Sequence, residues 1–194
     1  EGVEKGVEEN IPLVRDCFAG RGGSHTMRIC DDFSMYGDWV NKTHTISGGF
    51  RRLAQLISEA GLTPGVWYVP YWASTASEVY KRHPEWVARN ADGSVCLIEG
   101  RLPQSRRAPA FAIFDTSRPD VQQYFEDTAR SWRKRGFRYV TTDFLGSCVT
   151  PQRYHDPTMT KAEVMRCGLE AIRRGLGEDV FYRTIGGLIG AGMG

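Results

Sequence analysis

Four short segments of the chain are rich in apolar and β-branched residues and end at polar or glycine-bearing turns. This pattern is typical of buried β-strands, in which side chains pack on both sides of a pleated backbone. The predicted strands cover residues 27–31, 65–70, 137–143 and 179–184. The third strand, within FRYVTTDF, ends on Asp143. A lone carboxylate is costly to bury, so this strand end must open onto a polar environment or a partner.

Between the strands, apolar residues recur at the three- and four-residue spacing of amphipathic helices. One such stripe covers residues 50–60 and stops at Gly61, a residue type suited to the position just after a helix. Another stripe runs along residues 3–18. Pro12 lies within it and is expected to kink or restart that helix, because proline lacks an N–H donor.

Two further helices are predicted with their N-terminal caps. Residues 121–132 carry an apolar stripe, and Ser117 is the predicted N-cap of this helix. Thr160 and Glu163 have the spacing of a capping box, and apolar residues at helical spacing follow them. The sequence therefore predicts a fourth helix, with Thr160 as its N-cap.

Strands that alternate with helices indicate right-handed βαβ units and a parallel sheet, so the predicted fold class is α/β. One connection, residues 73–110, is much longer than the others and carries a turn at 91–94. Long insertions after the end of a strand often shape a binding site. We expect this insertion to do so here.

In parallel α/β folds, ligands bind beyond the carboxyl ends of the strands. Asp143 lies at such an end, Asp31 and Asp32 follow the first predicted strand, and Trp67 lies near the end of the second. The four side chains are expected to share one rim if the strands are neighbours. Asp143 could equally cap a turn, and Trp67 could be a packing residue. No metal site is expected, because the acidic pair has no further ligand at a recognisable spacing.

The composition is that of a globular domain: 194 residues, of which 41% are apolar and 25% charged, with a formal net charge of +2. The charges are scattered, so no nucleic-acid partner is expected. No apolar run is long enough to span a membrane.

Five cysteines without paired or metal-binding spacing favour a reducing compartment, and we expect the cytoplasm. The chain starts at Glu1 and ends in a glycine-rich tail, and we expect it to be a segment of a longer protein. A nucleotide-dependent enzyme would need a phosphate-binding glycine loop after a strand, and no predicted strand has one.

Several motifs occur in one order along most of the chain: ICDDF, GFRRLAQLISEAGLTPGVWYVPYWAS, HPEW, FAIFDTSRPDV, GFRYVTTDF and DVFYRTIGG. In these motifs the chain resembles the melibiase-type α-galactosidases, which are retaining glycoside hydrolases with a (β/α)8 barrel. The resemblance implies that residues 1–194 are a fragment of one catalytic domain, with strands two to five and an insertion at 73–110. It also implies a carbohydrate substrate and no cofactor. The sequence predicts no oligomeric state.

The resemblance assigns roles to individual residues. Asp143 matches the catalytic nucleophile, Asp31 and Asp32 match the pair that binds sugar hydroxyls, and Trp67 matches an aromatic lining position. Thr141 occupies a substrate-binding position where the family commonly has Lys. The family's acid/base residue would lie beyond Gly194, and Ile185-Gly186 replaces a common Cys-Gly.

The implied function is retaining hydrolysis of terminal α-galactosides through a covalent intermediate on Asp143. Two alternatives stay open: a catalytically silent carbohydrate-binding barrel, and an α-glycosidase for another sugar. The fragment alone is expected to be inactive, because it lacks the acid/base residue.

Overall fold

A computed structural model of the chain describes residues 3–18, 25–30, 36–39, 49–99 and 110–186. These residues form five α-helices and seven strands in an α/β arrangement. The helices are α1 (Val3–Phe18), α2 (Gly49–Glu59), α3 (Glu78–Arg82), α4 (Pro119–Lys134) and α5 (Lys161–Leu176). The strands are β1 (Thr26–Cys30), β2 (Thr63–Tyr68), β3 (Trp72–Ser74), β4 (Leu97–Glu99), β5 (Ala110–Ile113), β6 (Tyr139–Thr142) and β7 (Phe181–Thr184).

The main sheet contains four parallel strands in the order β1-β2-β6-β7. Each of the four strands overlaps one predicted from the sequence, and the predicted α/β class is confirmed. Val66 and Val140 pair across β2 and β6 and are fully buried. Because side chains alternate along a strand, the residue after each of these valines, Trp67 on β2 and Thr141 on β6, lies on the opposite face of the sheet.

The helices cover the face that carries Val66 and Val140. Four buried residues of α2 lie on one stripe of that helix: Phe50, Leu53, Ala54 and Ile57. The ring of Phe50 makes an edge contact at 4.9 Å with Trp132 of α4, which is itself buried. The other face of the sheet carries no helix among the described residues and is open toward its edge, where Phe181 of β7 is 62% exposed, whereas Thr141 in its middle is buried. This open face is the one on which Trp67 and Thr141 lie.

Helix ends follow the predicted local chemistry in two cases. Gly61 adopts a φ of +77° just after α2, a conformation that favours glycine. The Thr160 side chain accepts a hydrogen bond from the backbone of Glu163, whose carboxylate accepts the Thr160 backbone N–H at 2.7 Å. The predicted capping box is therefore confirmed.

One local prediction is wrong, and a second is wrong in part. Arg118, not Ser117, is the N-cap of α4, and the Ser117 hydroxyl donates to Asp115 Oδ1 at 2.6 Å instead. The Ser117 oxygen accepts the Asp156 backbone N–H at 3.1 Å, so its lone pairs serve that loop and not the first turn of the helix. Pro12 does not restart α1, which is helical across it. Both Pro12 and Glu8, whose carbonyl loses its partner, are exposed, so water can satisfy the freed group.

The long connection after β2 forms a second sheet. Strands β3, β5 and β4 pair antiparallel in that order, with Ala73 opposite Ala112. The turn at 91–94 is closed by the Asn90 N–H, which donates to the Ser94 carbonyl at 2.9 Å. The Trp72 indole donates to the Ser147 hydroxyl at 2.7 Å and thereby ties this sheet to the segment that follows β6.

None of the described helices is both long and apolar enough to cross a membrane. All five cysteines are free thiols. Burial raises the pKa of the Cys148 thiol to about 12.

Candidate active site

Asp143 directly follows β6, at the carboxyl end of the parallel sheet. Its backbone N–H still donates to the Tyr68 carbonyl at 3.1 Å, so the backbone pairing continues to this residue. Asp143 extends β6 and lies two residues after Thr141. Because side chains alternate along a strand, both side chains lie on the open face. The carboxylate is half-buried and therefore remains accessible to a ligand.

Two N–H donors hold the Asp143 carboxylate. The Trp67 indole nitrogen lies 3.1 Å from Oδ2, and the Phe144 backbone nitrogen lies 2.6 Å from Oδ1. Both groups can only donate, and each is directed at a different oxygen of the carboxylate. The arrangement fixes the orientation of the Asp143 carboxyl group at the carboxyl end of the sheet.

Phe144 has a left-handed backbone conformation, with a φ of +53°. This conformation is uncommon for a large side chain and is maintained only where the surroundings enforce it. Its ring stacks on Trp72 of β3 at 4.8 Å and contacts Trp67 at 6.2 Å edge-on. The second sheet thus packs against the residue that donates to Asp143. The sequence gives no signal for this role, because it depends on contacts with a distant strand.

Gly186 closes the other side of the carboxylate. Its carbonyl accepts the Gly146 N–H at 2.7 Å, and a Cβ at this position would lie 2.7 Å from Asp143 Oδ1. Any side chain here would therefore press on the carboxylate. The family resemblance identified Ile185-Gly186 as a departure, but it did not predict that Gly186 lies against the Asp143 carboxylate.

One row of side chains crosses the sheet just below Asp143. Cys30 pairs with Trp67, Trp67 with Thr141, and Thr141 with Arg183. Thr141 is fully buried, and its hydroxyl has no hydrogen-bond partner among the described residues. Arg183 was not predicted to belong to the site, because the parallel register between strands 42 residues apart in sequence is not readable from local pattern.

Asp31 and Asp32 lie outside the described residues, directly after β1. Their predicted contact with sugar hydroxyls stays a prediction. The neighbouring strand order, β1 beside β2, does place the end of β1 next to Trp67.

Asp115 takes no part in this site. Its buried carboxylate accepts hydrogen bonds from the Ser117 backbone and hydroxyl and from the His155 N–H, all in the turn before α4. It is a structural residue.

Two tyrosine hydroxyls lie behind the site. Burial raises the pKa of the Tyr68 and Tyr182 hydroxyls well above the ordinary value. The Tyr182 hydroxyl pairs with that of Thr142 at 3.0 Å on the helix-covered face. Asp143 therefore has neutral aromatic groups on its helix-covered side. Across the described parts of the chain, no cluster of three His, Cys, Asp or Glu side chains could hold a metal ion.

The profile of the family described as Melibiase matches residues 7–166. Alpha-galactosidase AgaA of Geobacillus stearothermophilus is 33% identical over 98 residues, which are 50% of this chain and 12% of that protein. Alpha-galactosidase Mel36A of Lactobacillus acidophilus is 35% identical over 114 residues, 58% of this chain and 14% of the relative. The chain thus spans only a small part of either relative.

Among solved structures, TtGalA, an alpha-galactosidase from Thermus thermophilus, superposes with a TM-score of 0.76 at 20% identity. The match covers 95% of this chain and 36% of TtGalA. At this identity the likeness concerns the fold. It confirms that the four parallel strands and their helices form part of a (β/α)8 barrel.

Proposed function

Because the chain belongs to the melibiase family, we propose that the protein is a retaining glycoside hydrolase that cleaves terminal α-galactosides or related α-glycosides. Asp143 is the nucleophile in this proposal. The observation that carries it is the Asp143 carboxylate, which two N–H donors hold at the carboxyl end of β6 on the open face of the sheet. That face corresponds to the inside of the complete barrel.

The geometry suits nucleophilic attack. An ionised carboxylate oxygen forms a bond to the anomeric carbon of the sugar while the bond from that carbon to the leaving oxygen breaks. A second carboxyl group protonates the leaving oxygen and later deprotonates the water that releases the sugar. The Trp67 indole and the Phe144 N–H hold the Asp143 carboxylate in place. Their hydrogen bonds to Asp143 weaken when the carboxylate loses its negative charge on bonding to the sugar. Asp31 and Asp32 are proposed to bind sugar hydroxyls beside it.

The choice of test substrate follows from the relatives. TtGalA has been solved in complex with p-nitrophenyl alpha-D-galactopyranoside and with stachyose. The corresponding aryl α-galactoside is therefore the first substrate to assay, with aryl glycosides of other α-linked sugars beside it. Thr141, an uncharged and buried residue at a sugar-binding position, supports including other sugars.

The test is Asp143→Ala in the complete protein, assayed with and without azide. We expect loss of hydrolysis and, with azide, formation of a β-glycosyl azide, because the small anion can attack the face that the carboxylate vacates. Asp120→Ala is the matched control, since Asp120 also accepts an indole N–H, from Trp86 at 2.9 Å, but lies on α4. Near-normal hydrolysis by Asp143→Ala would exclude the nucleophile role. Binding of the sugar without turnover by the unaltered protein would favour the silent-barrel alternative.

A further inference from the structure

Arg183 lies in the same row of the sheet as two residues of the proposed site. In the parallel register, Arg183 of β7 pairs with Thr141 of β6, which pairs with Trp67 of β2. Residues paired in this way have side chains on the same face of the sheet. Arg183 therefore projects from the open face, the same face as Asp143.

The neighbours of Arg183 on β7 support this direction. The Tyr182 hydroxyl pairs with Thr142, and the Arg173 guanidinium lies 5.9 Å from the Tyr182 ring centroid, so Tyr182 faces the helices. Alternation then turns Arg183 away from them. Phe181, two residues earlier, is 62% exposed and stacks on Tyr139 at 5.0 Å on the open face.

The positive charge of Arg183 is not used by the described part of the chain. Arg183 is exposed and forms no ion pair or hydrogen bond with any described residue. Two arginines near β7 do have partners: Arg133 pairs with Asp179 at 2.7 Å, and Arg173 donates to the Val180 carbonyl at 2.9 Å. An unpaired guanidinium beside the proposed nucleophile is available for a ligand.

Asp143 itself does not take up this charge. Asp143 lies diagonally across from Arg183, within the span of a long side chain, yet its two oxygens already accept the Trp67 and Phe144 donors. The Thr141 hydroxyl between them is buried without a partner among the described residues. The space in front of this row thus has a cation on one side and an indole on the other.

We propose that Arg183 is a substrate-binding residue that donates hydrogen bonds to hydroxyl oxygens of the sugar in front of Asp143. A guanidinium presents several N–H donors in a fixed plane, which suits two neighbouring hydroxyl oxygens of one ring. The proposal rests on the proposed function. It places the cation of the site on β7, one strand away from Thr141.

The experiment compares Arg183→Ala and Arg183→Lys with the unaltered complete protein on an aryl α-galactoside. We expect Arg183→Ala to lower kcat/KM by about tenfold or more, mainly through a higher KM, since charged hydrogen bonds to substrate are lost. Arg183→Lys should recover part of the loss, and millimolar guanidinium ion should partly restore Arg183→Ala. A residue that serves only folding would not respond to either.

Arg28→Ala is the matched control. Arg28 pairs with Gly65 and is exposed on the same face, but it lies one row farther from the carboxyl ends of the strands, about 6.6 Å away. Arg28→Ala should keep kcat/KM within about twofold of the unaltered protein, because the Arg28 guanidinium lies below the row of residues that faces the sugar.

The inference is overturned if Arg183→Ala stays within twofold of the unaltered protein, if neither lysine nor guanidinium ion restores it, or if Arg28→Ala is equally impaired. Asp143→Ala is measured in the same series. Retained activity in that variant contradicts the proposed function, whereas loss there with normal activity in Arg183→Ala contradicts only the role of Arg183.

Discussion

The indole nitrogen of Trp67 lies 3.1 Å from Asp143 Oδ2, although 76 residues separate the two in sequence. Neighbouring parallel strands make this contact possible, because β2 and β6 end side by side. We expect Trp67→Phe to keep the aromatic ring and remove the donor. In the complete protein, kcat/KM for an aryl α-galactoside should fall by about tenfold, the equivalent of one hydrogen bond to a charged group.

Trp86→Phe provides the comparison for this prediction. Its indole donates to Asp120 at 2.9 Å, so the substitution removes the same kind of bond away from the sheet end. Hydrolysis should be unchanged in Trp86→Phe. Equal losses in the two variants would mean that the Trp67 effect is one of general stability and not of the nucleophile.

Gly186→Ala should impair catalysis through the nucleophile. The added Cβ would lie 2.7 Å from Asp143 Oδ1 and 2.9 Å from the Phe144 nitrogen, so one of these groups must shift. Small displacements of a reacting group can lower rates strongly, and we expect kcat to fall by about tenfold or more. Steady-state kinetics of the complete protein measure this directly.

Gly61→Ala separates the effect of contact from that of backbone strain. Gly61 has a φ of +77° and Gly186 one of +65°, so alanine costs about 1–2 kcal/mol at either position. Within the described part of the chain, no atom outside Gly61 and its two chain neighbours lies within 4 Å of a Cβ at Gly61. The two variants should lose similar stability, and only Gly186→Ala should lose kcat. Normal kcat in Gly186→Ala would show that the carboxylate tolerates displacement.

The sequence predicts those parts of the molecule that depend on local pattern. The apolar stripe of α2, the capping box at Thr160 and the strand that leads to Asp143 all follow from spacing over a few residues. Ser117 shows where this reasoning fails. Its oxygen accepts the backbone N–H of Asp156, 39 residues away, and a local rule could not weigh that distant donor against the helix end.

The site depends on register and on the second sheet, neither of which the local pattern contains. Arg183 comes to lie beside Thr141 only through the β6–β7 pairing. Phe144 is held by Trp72, which belongs to a strand inside the long connection. The resemblance to a family identified Asp143 and Trp67 by their motifs and marked Thr141 and Ile185-Gly186 as departures, but it did not single out Arg183 or Phe144.

Asp115→Ala should destabilise the fold. The side chain is 3% exposed, and it accepts two hydrogen bonds from Ser117 and one from the His155 N–H at 2.5 Å. Removing it leaves buried donors unsatisfied, at a cost of roughly 3 kcal/mol in the free energy of unfolding. Denaturant-induced unfolding followed by tryptophan fluorescence measures the change.

Asp92→Ala is the surface counterpart of that variant. Asp92 accepts hydrogen bonds from the backbone and the hydroxyl of Ser94 in the same two-residue pattern, but it is exposed. Water can replace these bonds, so the free energy of unfolding should fall much less than in Asp115→Ala. A similar loss for both variants would show that burial does not set the cost at Asp115.

The 194-residue chain on its own should not hydrolyse an aryl α-galactoside. Retaining hydrolysis needs a second carboxyl group on the far side of the scissile bond, and the family resemblance places that group beyond Gly194. The open sheet face, with Phe181 62% exposed, should also bind a hydrophobic dye that the complete protein binds less. Both samples are assayed at equal molar concentration. Turnover by the purified chain that disappears in its Asp143→Ala variant would show that residues 1–194 hold a complete catalytic pair.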